Sequence, residues 1–263
     1  MLSFDDKPIV GMIHLPPLPG SPRSNDTLSG ITAFAVQDAE TLLAGGVDAL
    51  MIENFGDAPF FPGRTPAITV ASITCVASEV KRRFDQPLGI NVLRNDGGSA
   101  LAIAAAVGAD FIRVNVLCGA RVTDQGVIQG IAHDLLRQRR ELNVEHVQIF
   151  ADVDVKHSVP LAARPLADEV ADTLHRGGAD ALIVSGVGTG SAVEASHVEA
   201  TKRAAGNAPV LIGSGTNCEN IQQLAEFADG FIVGSALKSN GQLTSPVELT
   251  RVESMVRSLR DAG

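Results

Sequence analysis

Short runs of apolar and β-branched residues alternate along this chain with longer stretches of helical period, and the alternation repeats eight times. The runs that predict strands are 9–14, 49–53, 88–92, 111–116, 147–153, 181–185, 210–213 and 230–234. Between them apolar side chains recur at helical spacing: Leu166, Val170 and Leu174 follow i, i+4, i+8, and Val252, Met255, Val256 and Leu259 follow i, i+3, i+4, i+7. Such stripes are faces that pack on a core and carry no chemistry of their own.

One junction recurs. Gly46-Val47-Asp48-Ala49-Leu50, Gly108-Ala109-Asp110-Phe111-Ile112 and Gly178-Ala179-Asp180-Ala181-Leu182 share Gly-x-Asp followed by two apolar residues, and Ala228-Asp229-Gly230-Phe231-Ile232 is a looser copy. A glycine there ends a helix in a left-handed cap and lets the chain turn at once into a buried strand. The copies sit about two βα units apart, on the spacing of eight units in about 250 residues. No Ser- or Pro-rich linker and no charge run divides the chain, so residues 1–263 read as one α/β domain. Right-handed crossovers then close eight parallel strands into a single (β/α)8 barrel of the TIM type. The alternative, an open doubly wound sheet, wants a Gly-x-Gly-x-x-Gly turn after its first strand. This chain has Leu15-Pro16-Pro17-Leu18-Pro19-Gly20-Ser21-Pro22-Arg23 there, a stiff loop rather than a pyrophosphate cradle.

Composition narrows the partners. The 263 residues are 45% hydrophobic and 19% charged, enough apolar material for one large core. A formal charge of −9 repels a phosphodiester backbone, and with no Trp or Tyr for base stacking, nucleic acid is excluded as the expected partner. A small phosphate is a different case, because a local nest of backbone N–H groups outweighs the average charge at short range. Cys75, Cys118 and Cys218 form no CxxC pair and point to neither a disulfide framework nor a zinc knuckle. The segment Met1 to Lys7 carries acid where a signal peptide carries base. The longest nearly apolar stretches, 65–78 and 97–109, fall short of the roughly 18 residues of a membrane span. The expectation is a cytoplasmic protein without an integral membrane segment, with peripheral membrane contact left open.

In a barrel of this kind, the C-terminal ends of the strands and the loops after them carry the active site. The polar residues there are His14 after the first strand, Glu53 and Asn54 after the second, Asn91, Arg94 and Asn95 around the third, and Arg113 and Asn115 on the fourth. Asp152, Asp154, Lys156 and His157 end the fifth. Period-two alternation puts Arg113 and Asn115 on one face, and Asp152, Asp154 and Lys156 on one face. If that face points inward, the charges rim a closed pocket where partners from neighbouring strands satisfy them. Arg113 and Asp152 read equally as a structural pair filling a polar layer, since buried charge is tolerated when paired. His133, His146, His175 and His197 read as solvated.

The seventh strand runs into Gly213-Ser214-Gly215-Thr216-Asn217 and the eighth into Gly234-Ser235-Ala236-Leu237-Lys238, each followed by a helix. Glycines admit an anion close to the backbone and helix-start N–H groups face it, so Gly213, Ser214, Gly215, Gly234 and Ser235 are the expected phosphate ligands. After the sixth strand, Ser185-Gly186-Val187-Gly188-Thr189-Gly190-Ser191 offers Ser185 and Thr189 as a third wall or a lid.

Five strings carry a family resemblance: residues 8–23 (PIVGMIHLPPLPGSPR), 51–60 (MIENFGDAPF), 154–158 (DVKHS), 184–190 (VSGVGTG) and 213–221 (GSGTNCENI). Together, in this order and over nearly the whole chain, they resemble the BtpA family, also called BtpA/SgcQ. The resemblance implies a (β/α)8 barrel akin to phosphate-binding barrels. It also brings the association behind the family's name, that of a cyanobacterial member with photosystem I biogenesis at thylakoid membranes. The matching motif positions are His14, Glu53, Asn54, Lys156 and His157.

Two functions follow as expectations. One is an enzyme acting on a phosphorylated sugar or nucleoside by isomerisation, aldol-type cleavage or glycosidic cleavage. His14, Glu53, Asp152, Asp154, Lys156 and His157 would move protons, with Asn54, Asn91, Arg113, Asn115, Ser185 and Thr189 orienting substrate. A variant adds a divalent metal on His14, Glu53, Asp152, Asp154 and His157, although no spacing selects a metal. The other is a non-catalytic assembly factor for a membrane complex such as photosystem I. A homo-oligomer is expected in either case.

Overall fold

The computed structural model describes residues 2–155, 157–186 and 193–260. Eight parallel strands form its centre: β1 (Ile9–His14), β2 (Ala49–Glu53), β3 (Leu88–Asn91), β4 (Phe111–Val114), β7 (Gln148–Val153), β9 (Ala181–Val184), β10 (Val210–Ile212) and β11 (Gly230–Val233). They close in that order into a barrel, β11 pairing with β1. Each lies within two residues of the run that predicts it. Around them run α1 (Leu28–Ala44), α2 (Ala67–Arg83), α3 (Gly97–Val107), α4 (Ala132–Glu141), α5 (Leu166–Ala171, continuing as a π-turn over Asp172–Arg176), α6 (Ala195–Ala205), α7 (Ile221–Ala225) and α8 (Leu249–Arg260).

Strand alternation divides the apolar side chains into two layers. Ile9, Ile13, Leu50, Ile52, Ile90, Ile112, Ile149, Leu182 and Ile212 pack outward against the helices. Val10, Met12, Met51, Phe111, Phe150, Ile183, Leu211 and Ile232 fill the inside. Phe111 and Phe150 stack there with ring centroids 4.6 Å apart. Gly89 makes the room: a Cβ at that position would stand 2.1 Å from the Phe111 ring. Continuing the same parity one step toward the strand ends gives His14, Glu53, Asn91, Arg113, Asp152, Ser185, Gly213 and Gly234. The top inward layer is thus polar or glycine on every strand, directly above an apolar plug.

The recurring junction closes the opposite end. Gly46, Gly108 and Gly178 have φ of +93°, +72° and +66°, the left-handed turn expected. The aspartates then clamp the preceding strand. Asp48, Asp110, Asp180 and Asp229 accept the backbone N–H of Ile9, Leu88, Ile149 and Val210 at 2.7, 3.0, 2.8 and 2.8 Å. Each also meets a cation from the last turn of a helix: Arg260, Lys81, Arg139 and Lys202 respectively. One side chain therefore satisfies an orphan strand-start donor and a helix C-terminal cation together.

One element stands outside the βα alternation and was not expected from the sequence. After β4 the chain forms β5 (Ala120–Thr123) and β6 (Gly126–Gln129), an antiparallel hairpin turning at Asp124-Gln125, and β8 (Ser158–Pro160) adds to it. Its sequence signal is the β-branched alternation on either side of a turn that ends at Gly126, whose φ is +97°.

Burial raises the Asp110 carboxyl pKa, but the Leu88 N–H and the Lys81 ammonium outweigh it and hold the group below its ordinary value. Ionised Asp110 therefore adds stability above the unfolded carboxylate range, near pH 3.9, and that stability is lost as pH falls through the lower folded value. Asp110→Asn is expected to destabilise by about 0.5–1 kcal/mol at pH 7 in chemical denaturation and to converge with the wild type at strongly acid pH. A difference independent of pH would assign the loss to packing instead.

Candidate active site

Arg113 and Asp152 form a bidentate pair in the top inward layer, Nε and Nη2 donating to the two carboxylate oxygens at 2.9 and 2.8 Å, with both side chains buried. Asn115 Nδ2 adds a bond to Asp152 Oδ2 at 3.0 Å and the Ser185 hydroxyl one to Oδ1 at 3.4 Å. Burial by itself lowers the Arg113 pKa, but the Asp152 carboxylate overrides it and raises the value. The pair is a filled polar layer, as the structural reading of these two residues anticipates. Asn91 Nδ2 donates to Arg113 O and Asn115 Oδ1, whereas its own buried Oδ1 has no partner among the described residues.

On the neighbouring strands His14 Nε2 stands 3.7 Å from Glu53 Oε1, both residues buried and in register across β1 and β2. Phe55 meets the imidazole edge-on at 5.3 Å. Two cavities flank this pair. A narrow one of about 30 Å³ is bounded by His14, Glu53 and Arg113 and by the loops Gly213–Thr216 and Gly234–Ser235. It exists because two inward positions lack side chains. A Cβ on Gly234 would stand 2.5 Å from His14 Cε1, and one on Gly213 would stand 2.6 Å from Ser185 Oγ and 3.2 Å from Arg113 Nη2. The Thr216 hydroxyl on its wall is buried without a partner among the described residues. Among the described residues, the N–H groups of Gly215 and Ser235 have no protein acceptor. The helix expected directly after Gly234 is a single 3-10 turn over Ser235–Leu237, and α8 begins later, because Lys238 is drawn under α1 into a buried ion pair with Asp38.

The second cavity, about 310 Å³, is bounded by Glu53, Arg113 and Asn115, by Phe55, Phe60, Leu93 and Arg94, and by Asp124, Gln125 and His157. Glu53 and Arg113 line both spaces. Burial lowers the Arg94 pKa, an effect that the Asp152 charge partly offsets. The sequence reading missed Asp124, Gln125, Phe55 and Phe60, because the hairpin that carries the first two lies outside the barrel repeat.

Several predicted residues do other work. Asp154 does not join Asp152: its φ is +57°, so alternation ends at Val153 and the side chain turns outward, 54% exposed, to pair with Arg121. Arg121 is itself buried and also bonds Ser158 and Glu169, tying the small sheet to α5. Asn54 spends both halves of its amide on protein, Oδ1 accepting from Leu93 N and Nδ2 donating to Asp57, so it braces two loops instead of facing the cavities. Lys156 and Thr189 lie outside the described residues. The donor set considered for a metal does not converge, and the described residues contain no cluster of three or more such ligands placed to hold one. Of the remaining histidines, His133, His146 and His175 are exposed and His197 is half-buried.

The fold and strand-end cavities define an eight-stranded parallel α/β barrel of the kind seen in solved structures of enzymes. Thiamine phosphate pyrophosphorylase from Pyrococcus furiosus superposes with a TM-score of 0.61 at 13% identity, covering 98% of each chain. Orotidine 5'-phosphate decarboxylase from Pyrococcus horikoshii gives 0.56 at 13%, over 96% of this chain and 99% of the other. Within that class the chain belongs to the BtpA family, whose model matches residues 5–261. It is 46% identical over 254 residues to the photosystem I biogenesis protein BtpA of Synechocystis, covering 97% of this chain and 88% of that one. It is 45% identical over 260 residues to an uncharacterized protein of Thermococcus kodakarensis, covering 99% and 98%.

Asp152→Ala should cost about 3–5 kcal/mol in denaturant unfolding, since it strands the Arg113 charge in the barrel. Asp154→Ala, which removes a half-exposed carboxylate, should cost about 1 kcal/mol or less. Equal losses would contradict the division drawn between the two carboxylates.

Proposed function

We propose that the chain is an enzyme acting on a phosphorylated small metabolite, held by its phosphate between Gly213–Thr216 and Gly234–Ser235. The supporting observation is the pair of adjacent inward glycines, which open a space against the His14–Glu53 pair where any side chain would collide. Glycine loops after the last two strands, with N–H groups and a Thr216 hydroxyl that have no partner among the described residues, are the parts an oxyanion needs. An imidazole beside a carboxylate supplies a proton donor and acceptor next to that anchor. Arg113, held charged by Asp152, lines the same space and would stabilise negative charge on a reacting oxygen there. This arrangement suits isomerisation, aldol-type cleavage or glycosidic cleavage. The names of the solved neighbours carry phosphorylated compounds, thiamine phosphate and orotidine 5'-phosphate, which agrees with the reading, although likeness of fold does not carry function.

A second reading, a non-catalytic assembly factor for a membrane complex, draws on the name of the Synechocystis relative. It also draws on a row of exposed valines, Val127, Val122 and Val159, that crosses the small sheet in register. No helix among the described residues is long and apolar enough to cross a membrane.

A thermal-shift screen against inorganic phosphate and sugar and nucleoside phosphates checks the first reading. A ligand at a hundred times its dissociation constant adds about 2.7 kcal/mol, a clear rise in the midpoint. Gly234→Ala and Ser214→Asp should abolish the rise, and Glu53→Gln should keep it while losing turnover. If no phosphate compound raises the wild-type midpoint, the cradle assignment fails and the assembly reading takes its place.

A further inference from the structure

We propose that the metabolite is a nucleoside 5′-monophosphate, with its base in the 310 Å³ cavity and its ribose against Glu53 and Arg113; this rests on the phosphate reading of the cradle. Glu53 and Arg113 line both cavities, so a molecule anchored by phosphate in the narrow one would run past these two residues to place its far end in the wider one. Phe55, Phe60 and Leu93 wall that wider space. Apolar and aromatic walls leave the hydroxyls of a sugar chain unpaired, whereas a flat heteroaromatic ring packs on them and keeps its polar edge for hydrogen bonding.

The polar edge of the cavity matches such a ring. Gln125, at the hairpin tip, donates its amide nitrogen to Asp124, which fixes the amide orientation and leaves Oε1 as the acceptor. That oxygen is buried with no partner among the described residues. An exocyclic amine, as on adenine or cytosine, supplies the missing donor, whereas the O4 carbonyl of uracil sets acceptor against acceptor. Gln125 is thereby assigned as a specificity residue on an element that the barrel repeat does not require.

Isothermal titration of the full chain with inorganic phosphate, ribose 5-phosphate, AMP, CMP and UMP tests this, in the wild type and in Phe60→Ala and Gln125→Leu. AMP and CMP should bind at least tenfold more tightly than ribose 5-phosphate. Phe60→Ala should erase that gap while leaving ribose 5-phosphate within twofold, and Gln125→Leu should erase the preference for CMP over UMP. Both residues are half-buried in loops; if Phe60→Ala fails to fold, the Gln125→Leu titration decides. Ribose 5-phosphate binding as tightly as the nucleotides overturns the base site and leaves the cradle standing. UMP binding as well as CMP overturns the role of Gln125. Failure of every phosphate compound, inorganic phosphate included, overturns the cradle itself.

Discussion

The pairing of Arg113 with Asp152 governs the upper half of this barrel. Two opposite charges removed from water are tolerated only where each lone pair and each N–H finds a partner. Here the carboxylate takes two bonds from the guanidinium, one from Asn115 and one from Ser185, so that β4, β7 and the end of β9 are latched through a single group. Its neighbours follow from that demand. Gly213 must lack a side chain because Arg113 and Ser185 occupy the space, and the same absence opens the narrow cavity. The layer also divides the interior: below it Phe111 and Phe150 stack in an apolar plug, and above it lie the two cavities, with Glu53 lining both and His14 the narrow one.

The two ends of the parallel sheet solve different problems. At the strand starts, unpaired backbone donors need acceptors, and four aspartates on alternate strands supply them while each binds a cation from a helix end. Every clamp joins a strand, its predecessor and a helix, which gives the barrel a quarter repeat in its chemistry as well as its topology. At the strand ends no such repeat exists. Apart from the adjacent glycines Gly213 and Gly234, each inward position there differs from its neighbours, so the polar layer carries no four-fold pattern.

The small antiparallel sheet belongs to neither pattern. It is anchored by Arg121, buried beneath it and bonded to Ser158, Asp154 and Glu169, while its hairpin tip carries Asp124 and Gln125 to the wall of the wider cavity. Under the proposed function, the barrel would hold the anchor and the proton-transfer pair while the separate hairpin met the far end of the ligand, so that specificity could change without disturbing the charge layer.

The alternation of apolar runs and helical stretches was enough for the barrel, its eight strands and the residues of each strand that share a face. Strand parity is a property of the backbone alone, so once Val10 and Met12 are inside, His14 is too, and the same step places Glu53, Arg113, Asp152, Gly213 and Gly234. Parity holds only while the backbone stays extended, and this is where tertiary structure took over. The left-handed turn at Asp154 reverses a side chain that alternation puts beside Asp152. Asn54 is consumed by Leu93 and Asp57, and Lys238 is buried against Asp38, 200 residues earlier in the chain. The partners of these groups are brought together by closure of the barrel and by loops crossing over it. No local period encodes a contact between residues so far apart, so the chain's pattern specified which groups share a face, and closure of the barrel set which face turns inward and what each group meets.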